Sequence, residues 1–87
     1  MTFDVQVEVM LRPGIADPEG ATIERALPAL GFEGVTGVTV GKSIRFQLDS
    51  ESASKAQETA TQMCEQFLSN PVIEDAAISV TPVQVGS

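Results

Sequence analysis

Between Phe3 and Leu11 every second residue is apolar: Phe3, Val5, Val7, Val9 and Leu11 alternate with Asp4, Gln6, Glu8 and Met10. A period of two marks a strand with one face on a core. The run stops at Arg12-Pro13-Gly14, because Pro has no N–H to give to a ladder. Asp17-Pro18 then supplies a helix start. Asp caps the free N–H groups of a first turn, and Pro suits the first helical position. The chain is thereby committed to a strand, a turn and a helix within its first third.

Past Asp17 the period changes. Ile23, Ala26, Leu27 and Leu30 fall at i, i+3, i+4 and i+7, one stripe of a helix. Gly31 is placed for a left-handed cap, with Phe32 as its hydrophobic contact. Pro28 removes the helical hydrogen bond to the carbonyl of Glu24. The spacing predicts one kinked helix rather than two pieces, since Leu30 still belongs to the stripe. Val35–Val40 and Ser43–Leu48 read as short strands, the second with Ile44, Phe46 and Leu48 on one face. Gly41-Lys42 between them fits a two-residue type II′ hairpin turn.

The polar run Asp49-Ser50-Glu51-Ser52 precedes a second helical stripe, drawn by Ala53, Ala56, Ala60, Met63, Phe67 and Leu68 with Cys64 alongside. Asn70-Pro71 ends it, because a residue before Pro avoids the helical region. A last strand is expected near Ile73–Val80, with residues 1–81 forming one domain and 82–87 a C-terminal tail. The order β-α-β-β-α-β predicts an α+β fold of the ferredoxin-like kind. In it a four-stranded antiparallel sheet, ordered 4-1-3-2, carries both helices on one face.

Composition narrows the chemistry. The 87 residues carry twelve acids against five bases, a net charge of −7. No basic stripe exists to neutralise phosphates, which argues against nucleic acid and anionic membranes as partners. There is no His, the commonest general base and metal ligand. Cys64 is the single cysteine and reads as a small core residue. Asp17 is explained by capping, and adjacent Glu74 and Asp75 on a strand point to opposite faces, so they do not converge as an acid/base pair. Gly31-Phe32-Glu33-Gly34 and the Gly37–Lys42 stretch match no phosphate loop. No catalytic, cofactor-binding or metal-ligating residue is expected. The opening residues lack a signal-peptide pattern and no apolar run approaches membrane-spanning length, so a cytoplasmic location is expected.

What remains is surface. The sheet face away from the helices is expected to carry Asp4, Gln6, Glu8, Thr39, Arg45, Gln47 and Ser79, with Arg45 able to pair with Glu8 across the sheet or an interface. Lys42 is expected at the hairpin tip. Lys42, Arg45, Arg12 and Glu8 are the candidate contacts to partners.

Leu11 through Gly20, then Ile23, Ala26-Leu27 and Leu30-Gly31-Phe32, then Val35, Val38 and Gly41-Lys42, and finally Cys64 with Leu68 through Glu74 form an ordered set over nearly the whole chain. In this the chain resembles the small PurS-type subunit of phosphoribosylformylglycinamidine synthase, from purine biosynthesis. The resemblance implies a non-catalytic accessory subunit, a homodimer or homotetramer, that binds a large PurL-type synthetase and a PurQ-type glutaminase. It also implies help with ammonia transfer as formylglycinamide ribonucleotide becomes the amidine. ATP, Mg and glutamine would be used by the partners, with no cofactor on this chain. Ammonia protonates in water, and ammonium is a poor nucleophile, so a protein-walled route preserves the reactive form. Two positions depart from the family's usual pattern: Thr39 where Arg is common, and Ala76-Ala77 where an aromatic residue is common.

Two other classes share this topology. A free-standing small-molecule-sensing domain is the alternative. An acylphosphatase-like enzyme would need an anion-cradling loop after the first strand, where Pro13 withholds a donor. From the missing His and the unpaired carboxylates, the purified chain alone is expected to turn over neither glutamine nor ATP. Glutamate or phosphate released above blank would show otherwise.

Overall fold

The computed structural model describes residues 1–83. Strand β1 (Thr2–Leu11) is followed by helix α1 (Pro18–Ala26), strand β2 (Gly41–Asp49), helix α2 (Ala53–Met63) and strand β3 (Glu74–Pro82). The strands form one antiparallel sheet in the order β2-β1-β3. The expected neighbours of the first strand are therefore in place. The fourth strand is not: residues 35–40 join no ladder.

Register divides the residues between two faces. Val5 lies opposite Phe46 and Val80, and Val7 opposite Ile44 and Ile78. This is the core face, as the alternation of β1 predicts, and Phe3, Val5, Val7 and Val9 are all buried. Each such valine is worth about 1.5–3 kcal/mol of transfer free energy. Gln6 lies opposite Arg45 and Ser79 on the other face, which is polar.

Helix α2 closes the core over β1 and β3. Ser52 Oγ accepts the Lys55 N–H at 3.1 Å, capping its first turn. Ala56, Ala60 and Cys64 recur every four residues and are buried. The helix ends in a wider turn, Cys64–Leu68, where the Ser69 N–H reaches back five residues to the Cys64 carbonyl at 3.1 Å. That extra residue per turn rotates the end of the stripe. Leu68 stays against the core, while Phe67, expected on the stripe, is 87% exposed. Ala53 is exposed as well.

Helix α1 starts as expected but ends sooner. Asp17 Oδ1 accepts the Gly20 N–H at 2.9 Å, with Pro18 at the first helical position. The helix stops at Ala26, and a separate 3-10 turn spans Pro28–Leu30. The expected single kinked helix is two pieces because Pro28 offers no N–H and Leu30 bonds the Leu27 carbonyl three residues back, at 3.0 Å. Nothing holds Leu30 to a core, and it is 70% exposed. Gly31 (φ 94°) closes the turn as expected. Its N–H bonds Pro28 and that of Phe32 bonds Leu27, each at 3.0 Å, a Schellman arrangement.

Three further expectations are corrected. Gly41 and Lys42 form no hairpin turn; they open β2, opposite Met10 and Val9. Pro82, assigned to the tail by the sequence, lies in β3 opposite Phe3, and the Val83 N–H bonds the Thr2 carbonyl at 3.0 Å. The rest of that tail, 84–87, is outside the described residues. Finally, only α2 covers the sheet. Helix α1 makes at most marginal contact with any strand, and the molecule measures 51 × 36 × 15 Å with a radius of gyration of 17.0 Å. A compact chain of this length has a radius near ~12 Å.

At Gly20 a Cβ would overlap the Val38 carbonyl oxygen and approach Asp17 Oδ2 to 2.9 Å. Gly20→Ala should therefore destabilise the protein by about 1–3 kcal/mol, although Ala is the better helix former. Urea unfolding followed by circular dichroism checks the sign.

Candidate partner interfaces

The four candidate contact residues do not form one cluster. Arg45 and Glu8 stand on the polar face of the sheet. Arg45 lies opposite Gln6, and Glu8 lies opposite Ser43, one step away along the diagonal. Glu8 Oε1 accepts from Gln6 Nε2 at 2.9 Å, and Gln6 Nε2 also reaches Ser43 Oγ at 3.3 Å. The expected Arg45–Glu8 pair is not made: among the described residues Arg45 has no ion pair within 4.0 Å. Its exposed guanidinium borders a shallow hollow lined also by Asp4, Gln6, Gln47, Ser79 and Thr81. Thr39, expected on this face, lies outside the sheet because residues 35–40 form no strand.

Arg12 is a clasp at the end of β1. Its backbone N–H bonds the Ile73 carbonyl at 2.8 Å, and its Nε lies 3.3 Å from Asp75 Oδ1 and 3.4 Å from the Glu74 carbonyl. Glu74 Oε1 in turn accepts the Asn70 N–H at 2.7 Å. These adjacent acids thus fasten the start of β3, on opposite faces as expected.

Lys42 belongs to the other side. Opposite Val9 it stands on the core face, at the end of the Ile44, Phe46 and Leu48 row, beside the root of α1. Asp17, Glu19 and Glu74 line the same hollow. Its surroundings are acidic, as a partner-seeking cation at a hairpin tip would not require.

Asp17 does more than cap. Its Oδ2 accepts the Val40 N–H at 2.9 Å while Oδ1 holds Gly20. One carboxylate thereby joins the first turn of α1 to the residue before β2. Glu24 repeats the device, its Oε1 accepting the Val38 N–H at 2.9 Å. Sequence reasoning missed Glu24 because the contact spans fourteen residues and no local pattern encodes it. The Gly20 and Val40 N–H groups hold the Asp17 carboxyl below its usual 3.8, with loss of solvent pulling weakly the other way. Burial, and then neighbouring Glu65, pushes the Cys64 thiol up, away from nucleophilic use. No group of three or more metal-ligating side chains comes together among the described residues. No helix among them is long and apolar enough to cross a membrane.

Residues 4–82 match the family model described as PurS: Phosphoribosylformylglycinamidine (FGAM) synthase. The chain belongs to the PurS family. It is a subunit of FGAM synthase, the purine-biosynthetic enzyme. It is 38% identical over 82 residues to phosphoribosylformylglycinamidine synthase subunit PurS of Methanocaldococcus jannaschii, covering 94% of this chain and 99% of that one. The crystal structure of that protein superimposes with a TM-score of 0.85. The subunit of Mycobacterium leprae is 42% identical over 73 residues, 84% of this chain and 89% of its own. A chain in the PurLQS structure from Thermotoga maritima is 33% identical, with a TM-score of 0.85 over 93% of this chain and 99% of that one.

The double role of Asp17 gives a pH-dependent expectation. Its folded pKa is depressed, so its stabilisation is complete above the unfolded value near 3.8 and is lost as pH falls through the lower folded value. Asp17→Ala should lower the melting temperature at pH 7 by about 4–8 °C. Asp17→Asn, which keeps the Gly20 acceptor but offers Val40 none, should fall between. The gap between wild type and Asp17→Ala should narrow below pH 3.8, measured by calorimetry at one protein concentration.

Proposed function

We propose that this chain is the non-catalytic accessory subunit of FGAM synthase, joining an ATP-dependent PurL-type synthetase to a PurQ-type glutaminase and assisting ammonia transfer between them. The observation that carries the reading is the likeness, over nearly the whole of both chains, to a component of the Thermotoga maritima PurLQS structure. The chemistry agrees with it. The sequence has no His, its one cysteine is buried with a raised pKa, and Asp17, Glu24, Glu74 and Asp75 are engaged in holding backbone or Arg12.

A binding role needs a firm surface, and the polar sheet face offers one. Three strands fix its backbone, and Gln6, Arg45, Gln47 and Ser79 project from it. Arg45 is the cation there best placed to meet a partner carboxylate, since no acid of the described residues engages it. ATP, Mg and glutamine belong to the partner subunits in this reading. The assembly works in the cytoplasm, and the chain is a homo-oligomer, at least a dimer.

Omitting the chain from a reconstituted synthetase and glutaminase should abolish most glutamine-dependent synthesis and leave synthesis from high ammonium far less affected. External ammonium supplies the nucleophile by another route. Equal loss of both rates would replace ammonia transfer with direct shaping of the synthetase site. Arg45→Glu should weaken assembly with the partners, seen by co-purification, without lowering the melting temperature by more than about 2 °C, as for an exposed residue with little structural role.

A further inference from the structure

Strand β3 bonds β1 on one side and, among the described residues, no strand on the other. Two bonds at the ends of that ladder fix which groups face outward. The Val83 N–H meets the Thr2 carbonyl, and the Arg12 N–H meets the Ile73 carbonyl. Bonded and non-bonded pairs alternate along an antiparallel ladder. The odd-numbered residues of β3 therefore bond β1, and the even-numbered ones turn their N–H and C=O groups outward. At one end both outward groups of Glu74 are engaged, its N–H by the Asn70 carbonyl at 2.8 Å and its carbonyl by Arg12 Nε at 3.4 Å. At the other end Pro82 has no N–H to offer. Between them, no hydrogen bond within the described residues reaches the outward groups of Ala76, Ile78 and Val80.

Edge strands are ordinarily blunted by a lysine, a proline, a bulge or a covering element. The stretch from Ala76 to Val80 has no lysine, no proline and no bulge, and its pairing with β1 runs unbroken. Beside it lies a groove with Gln57, Thr61, Cys64 and Glu65 on the helix side and Ala76 and Ile78 on the strand side. Ala76 presents only a methyl group to it and is exposed, while Ile78 is half-buried. An open edge next to a helix is an arrangement that receives an added strand. Backbone bonds hold the strand, and the groove takes its alternate side chains. The groove is also acidic. Glu65 is exposed and makes no ion pair among the described residues, and the one base at the groove, Arg12, is engaged by Asp75 and the Glu74 carbonyl.

We propose that the outer edge of β3 takes up an extended segment of a partner subunit by strand addition, its backbone bonding Ala76, Ile78 and Val80 and its side chains alternating between apolar and basic. The apolar side chains lie over Ala76 and Ile78, and a Lys or Arg reaches Glu65. A segment of about five residues, an ordinary strand length, covers the open stretch. A second copy of this chain is the poorer occupant, because β3 brings two acids and no base, and nothing on it would meet Glu65. The edge is separate from the polar face that carries Arg45, so the small subunit gains a second handle, as joining two partners requires.

The inference rests on the accessory-subunit reading above, and the test separates the two. Amide hydrogen exchange is measured on the unaltered chain, alone and assembled with the PurL-type and PurQ-type subunits. In the chain alone, the amides of Ala76, Ile78 and Val80 should exchange faster than those of Ala77, Ser79 and Thr81. In the assembly the same three should slow by at least about tenfold. Ala76→Pro removes one outward donor and no bond to β1, so it should weaken assembly by about three- to tenfold while the fold is kept. Glu65→Lys should weaken assembly as well, with an unchanged melting temperature. If the unaltered chain does not assemble with the two subunits, both readings fall. If it assembles while the three amides stay fast, the edge is not the site and the accessory reading stands, whether or not Ala76→Pro folds well. Protection already present in the chain alone, and rising with its concentration, would make a second copy the occupant and overturn the proposal. Assembly of Glu65→Lys at full strength would overturn the basic segment.

Discussion

Among the described residues strand β1 is the one element with a hydrogen-bonded neighbour on both sides, and the rest of the molecule is hung on it. Its core-facing residues, Phe3, Val5, Val7 and Val9, are the largest side chains that are fully buried. Both other strands take their register from it, and the α2 side reaches the core through the small side chains of Ala60 and Cys64, clustered with this valine row. Because side chains alternate, a slip of one residue in β1 would send the valines to solvent and Asp4, Gln6 and Glu8 into the core. The strictness of the alternation therefore specifies the sheet, and it equally fixes which face is left polar.

The parts that were legible in the sequence are those decided by near neighbours. The period of β1, the Asp17-Pro18 start, the Gly31 cap and the Asn70-Pro71 stop each depend on a few adjacent residues, and all four are found. The family was legible too, from the ordered set running from Leu11 to Glu74. What failed was decided at a distance. Pro28 opposes the pull of Leu30 toward the stripe, but Leu30 has no core to reach, so the stripe exerts no pull and the helix breaks. Phe67 fell outside the core because a five-residue hydrogen bond at Ser69 widens the last turn, and a periodicity of 3.6 cannot foresee that. Gly41-Lys42 carries a sound turn signal whose outcome depends on where residues 35–40 are laid. As for the candidate contact residues, the sequence alone could not say how they group. Lys42 and Arg45 are three apart on one strand, so they fall on opposite faces once the strand begins at Gly41 rather than after a turn.

Asp17 shows how a local signal can hide a second purpose. A cap satisfies one or two N–H groups, and the sequence motif is complete with Gly20 alone. The second oxygen is spent on Val40, and Gly20 lacks a side chain because the Val38 carbonyl passes over it. Two carboxylates, Asp17 and Glu24, thus replace the ladder that residues 38–40 would otherwise find in a sheet. The acidity of the chain is in part structural, with carboxylates accepting backbone donors, and not only a means of staying soluble.

The pairing of β1 with β3 has a consequence for the order in which the molecule is made. Phe3 stands opposite Pro82, so β1, made before the other two strands of this sheet, waits for β3 before its second edge is covered. Meanwhile β2 can dock, which leaves a two-stranded ribbon with the valine row bare on one face. Contacts this distant along the chain close slowly. The nascent subunit is most prone to stick to its neighbours during that interval, and several copies translated from one message would meet in that state.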